Sequence, residues 1–207
     1  MSYRYPSSFI KPGFNPLVPG TPSYTYELWS WGYNPYGSLG LNNTTPYSSP
    51  KQVGALTDWL NAASGAYHTI ATKIDGTLWS WGINNYGQLG LNSTTYSYSS
   101  PKQIGALTTW SSVACGGYHT LATKADGTLW SWGYNAFGQL GLNNTTSYSS
   151  PKQVGALTTW STISCGYNHT LAIKTDGTLW SWGYNVFGQL GLGNAASYSS
   201  PKQVGAL

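Results

Sequence analysis

The 207 residues carry 7% charged side chains against 15% aromatic ones and 26 glycines, where an ordinary globular domain is about a quarter charged. The net charge of +4 rests on dispersed lysines: Lys51, Lys102, Lys152 and Lys202 in a recurring Pro-Lys-Gln, and Lys73, Lys124 and Lys174 just before a recurring Asp-Gly. No arginine cluster exists to grip phosphates, so nucleic acid is excluded as the expected partner. Of the five carboxylates, Asp75, Asp126 and Asp176 sit in turns and only Glu27 and Asp58 remain, with no visible pairing for acid–base chemistry. The composition points to a non-enzyme that needs no cofactor.

Residues 1–26 stand apart. Pro6, Pro12, Pro16, Pro19 and Pro22 forbid a useful helix, and Tyr3, Tyr5, Phe9, Phe14, Tyr24 and Tyr26 are too many aromatics for a solvated linker. The segment reads as an extended arm lying on another surface, with Tyr3, Tyr5, Phe9 and Phe14 as its assembly contacts. No apolar run suits a signal peptide or a membrane span, so neither the usual secretory export nor a transmembrane anchor is expected.

From Glu27 to Leu207 the chain repeats. Leu-Trp-Ser-Trp-Gly begins at Leu28, Leu78, Leu129 and Leu179, giving steps of 50, 51 and 50 residues, with the extra residue in a Ser/Thr/Tyr loop. Fixed self-similarity of this period signals stacked supersecondary units. The first unit is a half, Glu27 to Leu56, and three whole units follow.

Each unit predicts four short strands. His68 to Ile74 and Thr77 to Trp81 form a hairpin across Asp75-Gly76, a strong two-residue turn signal that recurs at Asp126-Gly127 and Asp176-Gly177. A glycine-punctuated loop follows, then a strand opened by Pro101, and then the run Trp110 to Cys115. Alternation puts Leu78 on one face and Trp79 and Trp81 on the other, so each sheet has two greasy faces and needs a neighbour on both. That is the requirement of a propeller blade.

His68, His119 and His169 occur once per unit, which excludes a shared metal and leaves them structural hydrogen-bonding roles. Cys115 and Cys165 share one repeat position with Ser64 and read as small core residues rather than a disulfide. Tyr36, Tyr86, Phe137 and Phe187 fall at one variable loop position and are candidate ligand-facing aromatics.

The run Asp126 to Leu142, Asp-Gly-Thr-Leu-Trp-Ser-Trp-Gly-Tyr-Asn-Ala-Phe-Gly-Gln-Leu-Gly-Leu, resembles the regulator of chromosome condensation repeat, as does Cys115-Gly-Gly-Tyr-His-Thr-Leu-Ala. The resemblance covers residues 27–207 and implies an all-β propeller-type fold. The family's best-known member is a seven-bladed propeller that binds chromatin and drives nucleotide exchange on a small GTPase. This chain has too few units, no wedge-like insertion and no basic targeting cluster, so the blade carries over and the exchange activity does not.

The expected organisation is an arm, 1–26, and a repeat domain, 27–207, of about three and a half blades closed by association with the chain's own copies. The expected function is a non-enzymatic structural protein of a virion, of a short phage type, docked by the arm on a capsid or tail protein. The alternatives are binding of a host surface glycan or receptor, and a scaffold for protein–protein interaction. The expected location is the virion or the cell exterior, after synthesis in the cytoplasm.

Overall fold

The computed structural model describes residues 7–15 and 23–205, with side chains over 26–205. Every regular element is a strand, and the strands fall into four antiparallel sheets in chain order. The first holds β1 (Ser7–Asn15), β2 (Ser23–Gly32) and β3 (Tyr47–Gln52). The second holds β4 (Trp59–Ser64), β5 (His68–Lys73), β6 (Leu78–Ile83) and β7 (Ser97–Gln103). The third holds β8 (Trp110–Cys115), β9 (His119–Lys124), β10 (Leu129–Gly133) and β11 (Tyr148–Gln153). The fourth holds β12 (Trp160–Cys165), β13 (His169–Lys174), β14 (Leu179–Gly183) and β15 (Tyr198–Gln203). The predicted four-stranded meander is therefore present three times.

Local chemistry sets each hairpin. Asp75 accepts from the Thr77 amide at 2.9 Å and the Thr77 hydroxyl at 2.7 Å, and that hydroxyl accepts the Trp79 indole N–H at 2.9 Å. The turn carboxylate thus fixes both the reversal and the first tryptophan. The relay recurs from Asp126 and from Asp176. In the first unit Glu27 takes the indole of Trp29 directly, so the two carboxylates left over in the sequence are also spoken for: Asp58 pairs with Lys73 at 3.2 Å.

One local expectation is corrected. Pro101 does not open its strand but sits inside β7, between Tyr98 and Lys102, where the register to β6 slips past a bulge. A bulge on an edge strand needs no ladder donor there, which is what proline lacks. Lys73, Lys124 and Lys174 each hold an ammonium over two indoles, Lys124 at 3.8 Å from the Trp130 centroid and Lys174 at 3.6 Å from that of Trp180. Ring faces carry negative potential, so these sites hold a cation at low cost.

The first unit is more complete than its sequence shows. β1 pairs along β2 with Ser7 opposite Trp31 and Phe9 opposite Trp29, the registers that Thr69 and Ala71 hold opposite Trp81 and Trp79. The free edge of β2 is a template for a strand, and part of the expected arm occupies it within the same chain. Of the expected arm contacts, Phe9 and Phe14 lie on β1, while Tyr3 and Tyr5 fall outside the described residues.

The core lies between the sheets. Leu28, Val53, Trp59, Ala71 and Trp81 bury one another between the first and second, and equivalent clusters fill the next two joints. Loop glycines let the backbones approach. Gly138 has φ +78, and a Cβ there would lie 2.4 Å from Ser199 Cα; Gly188 has φ +75 with nothing within 4 Å. Gly188→Ala is therefore expected to cost the strain of a left-handed alanine, about 1–2 kcal/mol. Gly138→Ala adds overlap worth about 1–3 kcal/mol more, a difference that denaturant midpoints will resolve.

Candidate functional site

Where one sheet meets the next, the tryptophan of the later sheet donates to a loop carbonyl of the earlier one. Trp81 bonds to the Ser38 carbonyl at 2.9 Å, Trp132 to that of Gln88 at 3.0 Å and Trp182 to that of Gln139 at 2.9 Å. A threonine hydroxyl joins each of these carbonyls: Thr69, Thr120 and Thr170, at 2.8–2.9 Å. His68 Nε2 then reaches Thr120 Oγ1 at 3.0 Å, and His119 Nε2 reaches Thr170 Oγ1 at 3.2 Å.

The tautomer follows. Each threonine spends its single proton on the carbonyl, so its oxygen accepts, and the imidazole must carry its hydrogen on Nε2. Nδ1 of His68 and of His119 is left bare and buried with no partner. Burial holds both imidazoles neutral, pushing His68 down to about 4 and His119 to about 3 from an ordinary value of 6.5. These histidines are joints between sheets, the structural role expected of them.

The same end of the sheets carries an aromatic rim. Tyr36 packs edge-on against Tyr67 at 5.3 Å, Tyr67 lies 6.1 Å from Tyr118, and Tyr118 meets Tyr86 at 5.4 Å. The row continues from Tyr86 to Tyr134 at 4.7 Å, Tyr134 to Phe137 at 6.2 Å, Phe137 to Tyr184 at 4.8 Å and Tyr184 to Phe187 at 6.1 Å. The four loop aromatics singled out in the sequence are thus linked, but only through Tyr67, Tyr118, Tyr134 and Tyr184. Those intermediates were missed. Their signal was visible as a tyrosine before the histidine, at Tyr67 and Tyr118, and one after the Trp-Gly, at Tyr134 and Tyr184.

Each loop of the rim, 33–47, 84–96, 134–148 and 184–198, is free of Lys, Arg, Asp and Glu. Beside the rim a cleft of about 340 Å³ opens between the ends of β4, β8 and β12, lined by Ser64, Gly65, Ala66, Cys115, Gly116, Gly117, Cys165, Gly166 and Tyr167. Both cysteines are free thiols, and desolvation raises both above their ordinary range, so neither is an activated nucleophile. They line the cleft and pack, partly buried, against the core clusters of the second and third joints, as small core residues. Among the described residues no cluster of His, Cys, Asp and Glu suits a metal ion.

The RCC1-like domain model matches residues 23–207. The chain belongs to the RCC1-like domain family. This RCC1-like chain is 38% identical over 122 residues to the ultraviolet-B receptor UVR8 of Arabidopsis thaliana, covering 57% of the chain and 28% of that protein. It is 31% identical over 123 residues to Protein RCC2 of Mus musculus, covering 57% and 23%. Its fold matches human WBSCR16 with a TM-score of 0.76 at 25% identity, covering 87% of the chain and 50% of that structure. It matches yeast RCC1 (Prp20), crystallised with Kap60, with a TM-score of 0.77 at 23% identity, covering 95% and 49%. The chain thus spans about a quarter of these curated relatives and about half of these solved structures. The expectation of a virion structural protein, docked on capsid or tail, is overturned by these relatives. The near-identical units mark the RCC1-like domain, matched over residues 23–207, and carried no information about a virion.

The buried histidines give a pH dependence. Their pKa values are lower in the folded state than in the unfolded chain, so below 6.5 the unfolded state binds more protons. Stability from these sites is full above about 6.5 and is lost as pH falls toward 4. The slope is roughly 1.4 kcal/mol per pH unit for each histidine. Thermal melts across this range should show a falling midpoint, and His119→Gln should flatten the fall.

Proposed function

We propose that the chain is a non-catalytic protein-binding module that engages its partner with the neutral aromatic rim. The observation carrying this is the unbroken row of aromatic contacts from Tyr36 to Phe187 on loops without a formal charge. Tyrosine and phenylalanine supply large contact area at small entropic cost, and rigidly packed rings are already ordered before binding. Phe187 is 85% exposed and Tyr86 39% exposed, so apolar surface is on offer.

A protein surface suits this rim better than a glycan. Sugar recognition uses an open ring face, whereas most contacts in this row are edge to face, at 76° for Tyr86 against Tyr118 and 78° for Tyr134 against Phe137, so that the edge of one ring covers a face of the next. The same fold in yeast RCC1 has been crystallised bound to another protein, Kap60.

The test is a partner captured by cross-linking from the native cell, purified, and titrated calorimetrically. Tyr86→Ser, Phe137→Ser and Phe187→Ser together should weaken binding by about a hundredfold while leaving the melting temperature within a few degrees. Affinity should change less than about threefold between low and high salt, because no charged pair forms at the rim. A steep salt dependence, or a glycan bound on an array with the same variant sensitivity, would overturn the reading.

A further inference from the structure

The joints between sheets repeat one pocket. At the second joint Gln103, Ile104, Leu107, Trp110, Trp130 and Pro151 line a space of about 460 Å³. At the first joint the matching residues, from Gln52 and Leu56 to Trp79 and Pro101, line about 360 Å³. The two walls correspond residue for residue, and only Val53 against Ile104 changes type. The third joint has the same types at the matching positions, among them Leu157, Trp160, Trp180 and Pro201.

Core packing accounts for part of this sameness, since Trp59, Trp110 and Trp160 are buried at their joints. It does not account for the leucines. Leu56, Leu107 and Leu157 are 47%, 51% and 48% exposed, so each joint keeps a half-solvated apolar side chain at the same place. Surface positions of these units do change where nothing holds them, as the rim loops show from Asn85 to Ala136 and from Tyr86 to Phe137. Large apolar side chains left in water beside a cavity mark a place of interaction.

The walls set the chemistry of the guest. Paired indoles with leucine, proline and a branched aliphatic side chain suit a flat apolar ring, and the volumes lie at the small end of the roughly 300–1,000 Å³ that ligand pockets span. No wall residue of either pocket is charged. Lys124 already lies 5.1 Å from the Trp110 centroid and 3.8 Å from that of Trp130, and Lys73 sits likewise over Trp59 and Trp79. A cationic guest would therefore meet an ammonium on the same rings. The two cavities are separate rather than one groove, which suits a small molecule better than an extended chain.

We propose that the joints bind a neutral aromatic molecule of one or two rings, one at each joint, between the half-exposed leucine and the paired indoles. The polar groups such a guest meets are the Gln52 and Gln103 amides and the Ser100 and Ser150 hydroxyls, which orient it without selecting a charge. The pockets share no residue with the aromatic row from Tyr36 to Phe187, so the site is distinct from the one proposed for a protein partner.

The probe is indole, titrated into the isotope-labelled 207-residue chain. The indole N–H groups of Trp59, Trp110 and Trp160, buried and without an acceptor, report from the walls. All three should shift and saturate, with dissociation constants alike within about fivefold, since a single methylene separates the walls. Tryptamine, which carries an ammonium on the same rings, should bind at least about tenfold more weakly. Leu107→Asp should abolish the Trp110 shift and spare those of Trp59 and Trp160, and the milder Leu107→Ala should weaken the second site alone by about threefold or more. Shifts that never saturate up to the solubility limit of indole, shifts at the rim tyrosines instead of the wall indoles, or a Trp110 shift unchanged in both variants would each overturn the proposal. So would a leucine- or proline-rich peptide that saturates the three indoles where indole does not, since the joints would then be protein contacts.

Discussion

One carbonyl holds each sheet to the next. An indole N–H and a threonine hydroxyl converge on the backbone oxygen of residue 38, 88 or 139, and in the later joints an imidazole is stacked behind the threonine. All these groups are buried, so each unmade bond would cost a full desolvation penalty. The tryptophan that makes the bond is also one of the two largest apolar side chains in its cluster, with Trp132 fully buried against Ile70, Leu78 and Trp110. Polar satisfaction and apolar burial are therefore one event, and the spacing between sheets admits little adjustment. The glycines follow from this, because Gly90 lies under the Trp132 ring, where a Cβ would sit 2.7 Å from Nε1.

Much of this was legible in the sequence because the repeat displays it four times. Period 2 in Leu-Trp-Ser-Trp, turns at Asp-Gly and an indel confined to a loop are enough to give the strands, their pairing and the need for covered faces. The N-terminal segment was less legible. Ser7 to Asn15 share no residue pattern with the repeat and hold a proline and a glycine, so nothing local marks them as a strand. What recruits them is the bare edge of β2, a tertiary fact. The rim was legible only as isolated positions, since its continuity depends on Tyr67 and Tyr118, which precede a strand, touching Tyr36 and Tyr86, which lie in loops of neighbouring units.

Charge is handled by enclosure. Lys73 is 6% exposed and lies over Trp59 and Trp79 with Asp58 at its ammonium, while the third and fourth units keep their lysines between indoles. The remaining repeat lysines, in Pro-Lys-Gln, reach over tyrosines at 5.4–5.8 Å. The repeat lysines, which when counted suggest nucleic acid, are thus single cations, each with its own aromatic partner. The rim is left without charge, and recognition there depends on shape and hydrogen bonding.

In a stack whose units touch only their neighbours, an inner sheet is held by two joints and an end sheet by one, so the ends are the weakest places and the first to open. In the fourth unit Ile173 stands where the other units bury Thr72 and Thr123, and the tyrosine moves one place to Tyr167, whose carbonyl accepts the Gly117 amide at 2.9 Å. The joint to the third sheet therefore carries a ring, Tyr167 packed edge-on against Tyr118 at 5.9 Å, beside the carbonyl that takes the Trp182 indole.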